Sequence, residues 1–179
     1  MGNLPHFRLN QVKPFSKVGV DFAGPFDFKA AMIRKIKITK AYICIFVCMV
    51  TTTVHIEIVS DLSTPLFIGG LNRFISRKGR CTDIYSDCGT NLVRTHRYLT
   101  EVETIIQGAD FTNNVLEHQI RWHFNPHSAP HMGGIWEAAV KSTNSLLHRV
   151  IQNTVLTYEE LNTVLHQVEA TLNSRPKSF

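Results

Sequence analysis

Three acids, Asp21, Asp87 and Glu137, stand where carboxylates can do chemistry together. Asp21 lies inside the alternating run Val18-Gly19-Val20-Asp21-Phe22, where a carboxylate is costly unless it is paired or binds metal. Asp87 follows the apolar run Cys81 to Tyr85, in the turn Ser86-Asp87-Cys88-Gly89-Thr90-Asn91. The ends of sheet strands are where open α/β folds place their sites. Glu137 comes just after Gly133-Gly134, near the start of a long helix whose dipole favours negative charge. Singly, each acid has a plain structural explanation: a solvent-facing strand end, a turn former, a first-turn acid. Together, two strands and a helix can bring three carboxylates onto hard divalent cations such as Mg²⁺, which take oxygen ligands and leave positions for water and phosphate. A pair of such ions supports in-line phosphoryl displacement with no nucleophilic side chain. The sequence offers no such nucleophile, having neither a Gly-x-Ser-x-Gly motif nor a Cys–His pair in a suggestive context.

Lys141, Asn144 and His148 continue the Glu137 face at i+4, i+7 and i+11, with Trp136, Ala139, Val140, Leu147 and Val150 opposite. A helix with a carboxylate and cations along one side suits a surface ion pair or a phosphate backbone. A rival metal pattern, His123, His127 and His131, recurs every four residues. Pro126 and Pro130 preclude one helix carrying all three, and no Cys-x-x-Cys completes a zinc set. Cys44 and Cys48 share a strand face and read as core thiols.

The elements that must position these residues follow from periodicity. Val18 to Phe22 predicts a half-buried strand stopped by Gly24-Pro25. A basic stretch (Arg34, Lys35, Lys37, Lys40) leads to Tyr42–Val50, continuously apolar like a central strand covered on both faces. Val54 to Val59 alternates as a half-buried strand, and the short Thr51-Thr52-Thr53 link implies an antiparallel hairpin. Ser63-Thr64-Pro65 starts a helix that Gly79 ends. A short strand, a broken helix over residues 92–119, another strand at 120–124, a loop at 125–134 and a helix at 135–152 follow. The final helix has a capping box, Thr157 with Glu160, and a stripe of Leu161, Val164, Leu165, Val168 and Leu172. It ends at Asn173-Ser174-Arg175-Pro176. This order describes an α/β domain with a mixed sheet.

With 179 residues, 44% of them hydrophobic, the chain suits one globular domain. The net charge of +5 favours an anionic partner modestly. The longest apolar run, Ala41 to Val50, is far short of the ~20 residues of a bilayer helix. The leading residues lack a secretion signal's apolar core, so a cytoplasmic or nuclear setting with no membrane partner is expected. The four cysteines, Cys44, Cys48, Cys81 and Cys88, read as reduced thiols.

Val18 to Phe26, Ser86 to Asn91 and Asn125 to Glu137 together resemble the integrase catalytic core of LTR retrotransposons. The run Trp136-Glu137-Ala138-Ala139-Val140-Lys141 and the lead from Leu4-Pro5 to Pro14-Phe15 look most like the BEL/Pao group. Asn173-Ser174-Arg175-Pro176 is similar to that family's end-of-core motif. The resemblance spans nearly the whole chain: residues 1–15 as an extended lead, 16–176 as the core and 177–179 as a tail. It implies an RNase H-like fold with a five-stranded mixed sheet, two Mg²⁺ or Mn²⁺ ions, and Asp21, Asp87 and Glu137 as catalytic ligands. It also implies 3′-end trimming and strand transfer into double-stranded DNA, Lys141 at the DNA end, homo-oligomers and a nuclear place of action. Two features depart from the family pattern. The Asp87–Glu137 interval of 50 residues is longer than the retroviral one, as in BEL/Pao-like chains, and Cys88 stands where asparagine is usual. No zinc-binding or carboxy-terminal DNA-binding domain is present in these residues, which implies a fragment or a truncated or domesticated copy. Two other readings stay open: a remnant that grips DNA or protein without catalysis, and a nuclease that cuts without joining.

Overall fold

Val18 to Phe22 alternates as expected, yet the strand does not stop at Gly24-Pro25. In the computed structural model, which describes residues 13–30, 37–87, 89–108, 120–124, 130–151 and 154–174, β1 runs over Lys17–Ala30. The Gly24–Pro25 bond is cis, and the pairing slips between Ala23 and Phe26 before it resumes. A bulge is where a strand tolerates a residue with no N–H to donate. Gly24 there has φ 118°, and a Cβ on it would sit 3.2 Å from the Ala41 carbonyl oxygen. The expectation of a strand ending at Gly24-Pro25 is thus corrected to one long bulged strand.

Strands β2 (Lys37–Cys48) and β3 (Val54–Val59) form the expected antiparallel hairpin, with β2 pairing antiparallel to β1 on its other side. Helix α1 (Thr64–Lys78) begins after Ser63 and stops at Gly79, as its sequence signals require. Strand β4 (Asp83–Ser86) joins β1 in parallel, and β5 (Arg121–Phe124) joins β4 in parallel. Between them lies α2 (Thr90–Gly108). Helix α3 (Pro130–Ile151) is followed by a two-residue strand β6 (Leu156–Thr157) and by α4 (Tyr158–Asn173). The main sheet order is β3-β2-β1-β4-β5, with β6 pairing β1 in parallel at Phe28 and Lys29. The sequence reading has no counterpart to β6, because two residues carry no period.

Successive residues of β2 face opposite ways, which divides the core in two. Ile43, Ile45 and Val47 pack with Val140 and Leu147 of α3 and with Leu161, Leu165 and Val168 of α4. Cys44, Phe46 and Cys48 pack with Phe67, Leu71 and Phe74 of α1 and with Leu92 of α2. The sheet is therefore covered by helices on both faces. The capping box at Thr157 has both its bonds, 2.8 Å and 3.3 Å. Val164 and Leu172 of the α4 stripe are partly buried and pack against the same cluster.

Strand β3 departs from expectation: all six residues are buried, including His55 and Glu57. It is an edge strand, and edge strands carry unpaired backbone groups that need covering. Here α4 supplies the partners. Asn173 accepts from the Val54 N–H and donates to the Val54 carbonyl, both at 2.8 Å, and Glu169 accepts from the Ile56 N–H at 3.0 Å. Removing the Asn173 amide strands two part-buried groups, so Asn173→Ala is expected to cost about 1–3 kcal/mol in urea denaturation. An unchanged midpoint would mean that water replaces the amide without loss.

The lead over residues 1–12, Arg34 and Lys35 of the basic stretch, Cys88, the expected break over 109–119, the loop at 125–129 and the tail from Arg175 lie outside the described residues. Among those described, no helix is long and apolar enough to cross a membrane.

Candidate active site

Asp21 pairs across the sheet with Ile45 and so points to the α3–α4 face, opposite Val20 and Phe22. It is half-buried, and its Oδ1 accepts from the Phe22 N–H at 2.7 Å. Asp87 follows the last residue of β4, next to β1 in the sheet, and is exposed. Its Oδ1 accepts from the Gly89 N–H at 3.0 Å, an Asx-type turn. A Cβ on Gly89 would lie 3.0 Å from that same oxygen, so glycine keeps the turn tight.

Glu137 is exposed on α3. The helix starts at Pro130 rather than near Ile135, so Glu137 lies about two turns in. The dipole effect fades within the first turn, which removes the structural explanation that the sequence suggested for this acid.

Two of the acids bear on the third. Burial pushes Asp21 from 3.8 up to about 6; the Phe22 N–H opposes that, and the charges of Asp87 and Glu137 add to it. Like charges that raise a carboxylate are the electrostatic setting a cation relieves. The donors are all oxygens, which suits a hard divalent cation rather than zinc. Among the described residues, however, no three His, Cys, Asp or Glu side chains are gathered tightly enough to hold a metal ion. The trio is within electrostatic reach, not in ligand contact.

A raised carboxylate has a cost. The folded chain binds the Asp21 proton more tightly than the unfolded chain, so stability falls as pH rises from about 4 to about 6. Asp21→Asn is therefore expected to stabilise the metal-free protein by roughly 1–3 kcal/mol at pH 7.5, and by nothing at pH 4. Urea melts at the two pH values check this; equal effects at both would show that Asp21 is not strained.

Lys141 is exposed, Asn144 half-buried and His148 exposed along α3, as the periodicity requires. His148 sits 5.8 Å from the Phe26 ring and lines a cleft of about 320 Å³ with Asp27 and Ile151. One expectation on this helix fails: Val150 is 53% exposed, while Ile151, four residues after buried Leu147, faces the core. The side chain of Trp136 lies outside the described residues.

Of the histidine set, the side chain of His123 alone lies among the described residues. His123 stacks on Tyr85 at 4.6 Å and bonds through Nε2 to Asp83 Oδ1 at 2.8 Å. His127 and the His131 side chain lie outside the described residues. Cys44, Cys48 and Cys81 are buried free thiols, and burial pushes Cys44 well above the usual thiol range.

Two residues near the acids carry no sequence signal. The Ser86 hydroxyl, fully buried, accepts from Trp122 Nε1–H at 2.8 Å and donates to the Asp87 carbonyl at 3.0 Å. A serine closing a strand and a tryptophan on a neighbouring strand look like turn and core residues until the fold brings them together.

The mixed sheet with helices on both faces has the RNase H-like fold of integrase catalytic cores. The magnesium-bound catalytic core of HTLV-2 integrase, in a trimeric form, superposes with TM-score 0.58 at 14% identity, covering 93% of this chain and 90% of that one. The BIV integrase catalytic core gives 0.57 at 14% identity, covering 92% and 88%. A chain of the simian T-cell lymphotropic virus intasome in complex with PP2A regulatory subunit B56 gamma gives 0.58 at 15% identity, covering 92% of this chain and only 56% of that one. No family model matches the chain, and no curated protein does.

Proposed function

We propose that this chain is the catalytic core of a retrotransposon integrase, BEL/Pao-like, which trims 3′ ends of DNA and joins them to target DNA. The observation that carries the reading is the placement of Asp21 in β1, Asp87 just after β4 and Glu137 on α3 of an integrase-core fold. The last two lie near enough to add to the burial that pushes Asp21 to about 6. Asp21, Asp87 and Glu137 would hold Mg²⁺ or Mn²⁺, and magnesium is bound in the HTLV-2 core of the same fold. When bound, two such ions polarise the phosphate and stabilise the attacking and leaving oxygens. The chain's own part is placement. β1 carries Asp21 and the turn after neighbouring β4 carries Asp87, and α3, packed over the sheet, would supply Glu137 as the third. Lys141, Asn144 and His148 then lie along the same helix to receive phosphates of double-stranded DNA.

The BEL/Pao affinity rests on the Trp136 to Lys141 run and on the 50-residue interval before Glu137. Homo-oligomers and a nuclear site of action belong to this reading, and the HTLV-2 core is found in dimeric and trimeric forms. The test is an oligonucleotide assay with Mn²⁺. Strand transfer supports the integrase, cleavage without joining makes the chain a nuclease, and salt-sensitive binding without turnover makes it a non-catalytic module.

A further inference from the structure

We propose that Ser86 and Trp122 are positioning residues for Asp87, acting as one relay from strand β5 that sets how tightly the carboxylate site holds a divalent cation. The inference rests on the reading of Asp87 as a metal ligand.

An indole N–H can only donate, so Trp122 must give its proton to Ser86 Oγ across 2.8 Å. The serine proton is then free to reach the Asp87 carbonyl, 3.0 Å away. Asp87 is thus gripped twice: its carbonyl by Ser86 from the strand side, and its carboxylate by the Gly89 N–H from the helix side. The first grip ties this exposed turn to the sheet, and the second is local to the turn itself.

The donor is itself packed among aromatic rings. The Trp122 ring stacks with Phe124 at 6.0 Å and meets Phe67 at 5.9 Å and His96 at 6.0 Å. These contacts come from β5, α1 and α2, so three elements fix one indole and, through it, the Asp87 backbone. Such a relay does for a carboxylate what outer partners do for metal-binding histidines: it orients a ligand without touching the metal.

The alternative is that Ser86 merely satisfies a part-buried indole N–H. Mn²⁺ binding, followed by electron paramagnetic resonance on the full chain, separates the two. Ser86→Ala and Trp122→Phe are each expected to weaken Mn²⁺ on the order of tenfold. Because they interrupt one relay, the double variant should be no weaker than Ser86→Ala alone. A lowered melting temperature with unchanged Mn²⁺ affinity would show a purely structural role, and additive losses would also overturn the proposal. Asp87→Asn is the reference. Binding lost in Asp87→Asn but kept in Ser86→Ala overturns the relay alone. Binding that Asp87→Asn leaves intact, or that the native chain lacks, overturns the metal-ligand reading and the relay with it.

Discussion

Asp87→Asn is expected to lower Mn²⁺-dependent DNA cleavage at least about a thousandfold, equivalent to about 4 kcal/mol of transition-state stabilisation. The fold should be untouched. Asp87 is exposed, and the bond from the Gly89 N–H to its Oδ1 is open to an asparagine oxygen as well. What asparagine removes is charge, and with it the attraction for a cation. The measurement pairs a cleavage assay with circular dichroism and a thermal melt. Cleavage at the native rate in a folded Asp87→Asn protein would end the integrase assignment. The variant also bears on Asp21: with one of its two repelling neighbours neutral, its carboxyl should titrate below about 6, which carbon-detected NMR reads directly.

The second large effect concerns stability and lies at the far edge of the sheet. His55 is held between two carboxylates, Glu57 Oε1 at 3.0 Å and Glu169 Oε2 at 3.1 Å. Glu57 also accepts from Arg73 Nε at 2.6 Å and Arg77 at 3.1 Å, but both arginines are about half exposed and add little through water. The centre of the network is therefore the buried His55–Glu57 pair with Glu169. Glu57→Ala leaves that histidine and Arg73 facing a vacated buried position, and is expected to cost about 3–5 kcal/mol. For a domain of this size that lowers the melting temperature by roughly 10 °C or more. A loss below 1 kcal/mol would mean that Glu169 alone carries the network.

The same network sets a pH window. Burial pulls His55 down, yet bonds to Glu169 and Glu57 outweigh it and hold the ring above 6.5. Burial raises Glu57 and Glu169, and here too the partners win, with His55 first among them, holding both below 4.5. The carboxylates contribute stability above 4.5 that is lost as pH falls through their folded values. The histidine contributes stability below 6.5 that is lost as pH rises through its own. The network is strongest between about pH 4.5 and 6.5. His55 adds a decline in stability as pH rises through its folded value. His55→Gln should flatten it.

Much of this was legible in the residues, and particular residues show why the rest was not. The β2–β3 hairpin, the Ser63 helix start and the Thr157 capping box follow from local chemistry, which acts within a few residues. Gly24-Pro25 misleads because a stop signal and a bulge share the same two residues, and only the pairing partner β2 tells them apart. Val54 to Val59 misleads because its alternation is genuine, but His55 and Glu57 face helices instead of water. That depends on Glu169, more than 110 residues away. The acids were legible as three residues in suggestive elements, whereas their mutual repulsion is visible only in the folded chain. Ser86 and Trp122 were not legible at all, since their bond joins strands 36 positions apart.

Strand β1 draws its partners from widely separated parts of the chain: β2 directly after it, β4 at Asp83–Ser86, and β6 at Leu156 and Thr157. Topology of this kind makes folding slow, because distant loops must close before their contacts reward them. During synthesis the central strand precedes its last partner by more than a hundred residues, from Phe28 to Leu156. During that wait the strand edge facing β4 and β6 stands open, and open edges invite pairing with other chains. The hairpin with β2, which forms from neighbouring residues, shields the opposite edge in the interval. How soon β6 arrives after that hairpin is therefore expected to bear on how much of the protein aggregates.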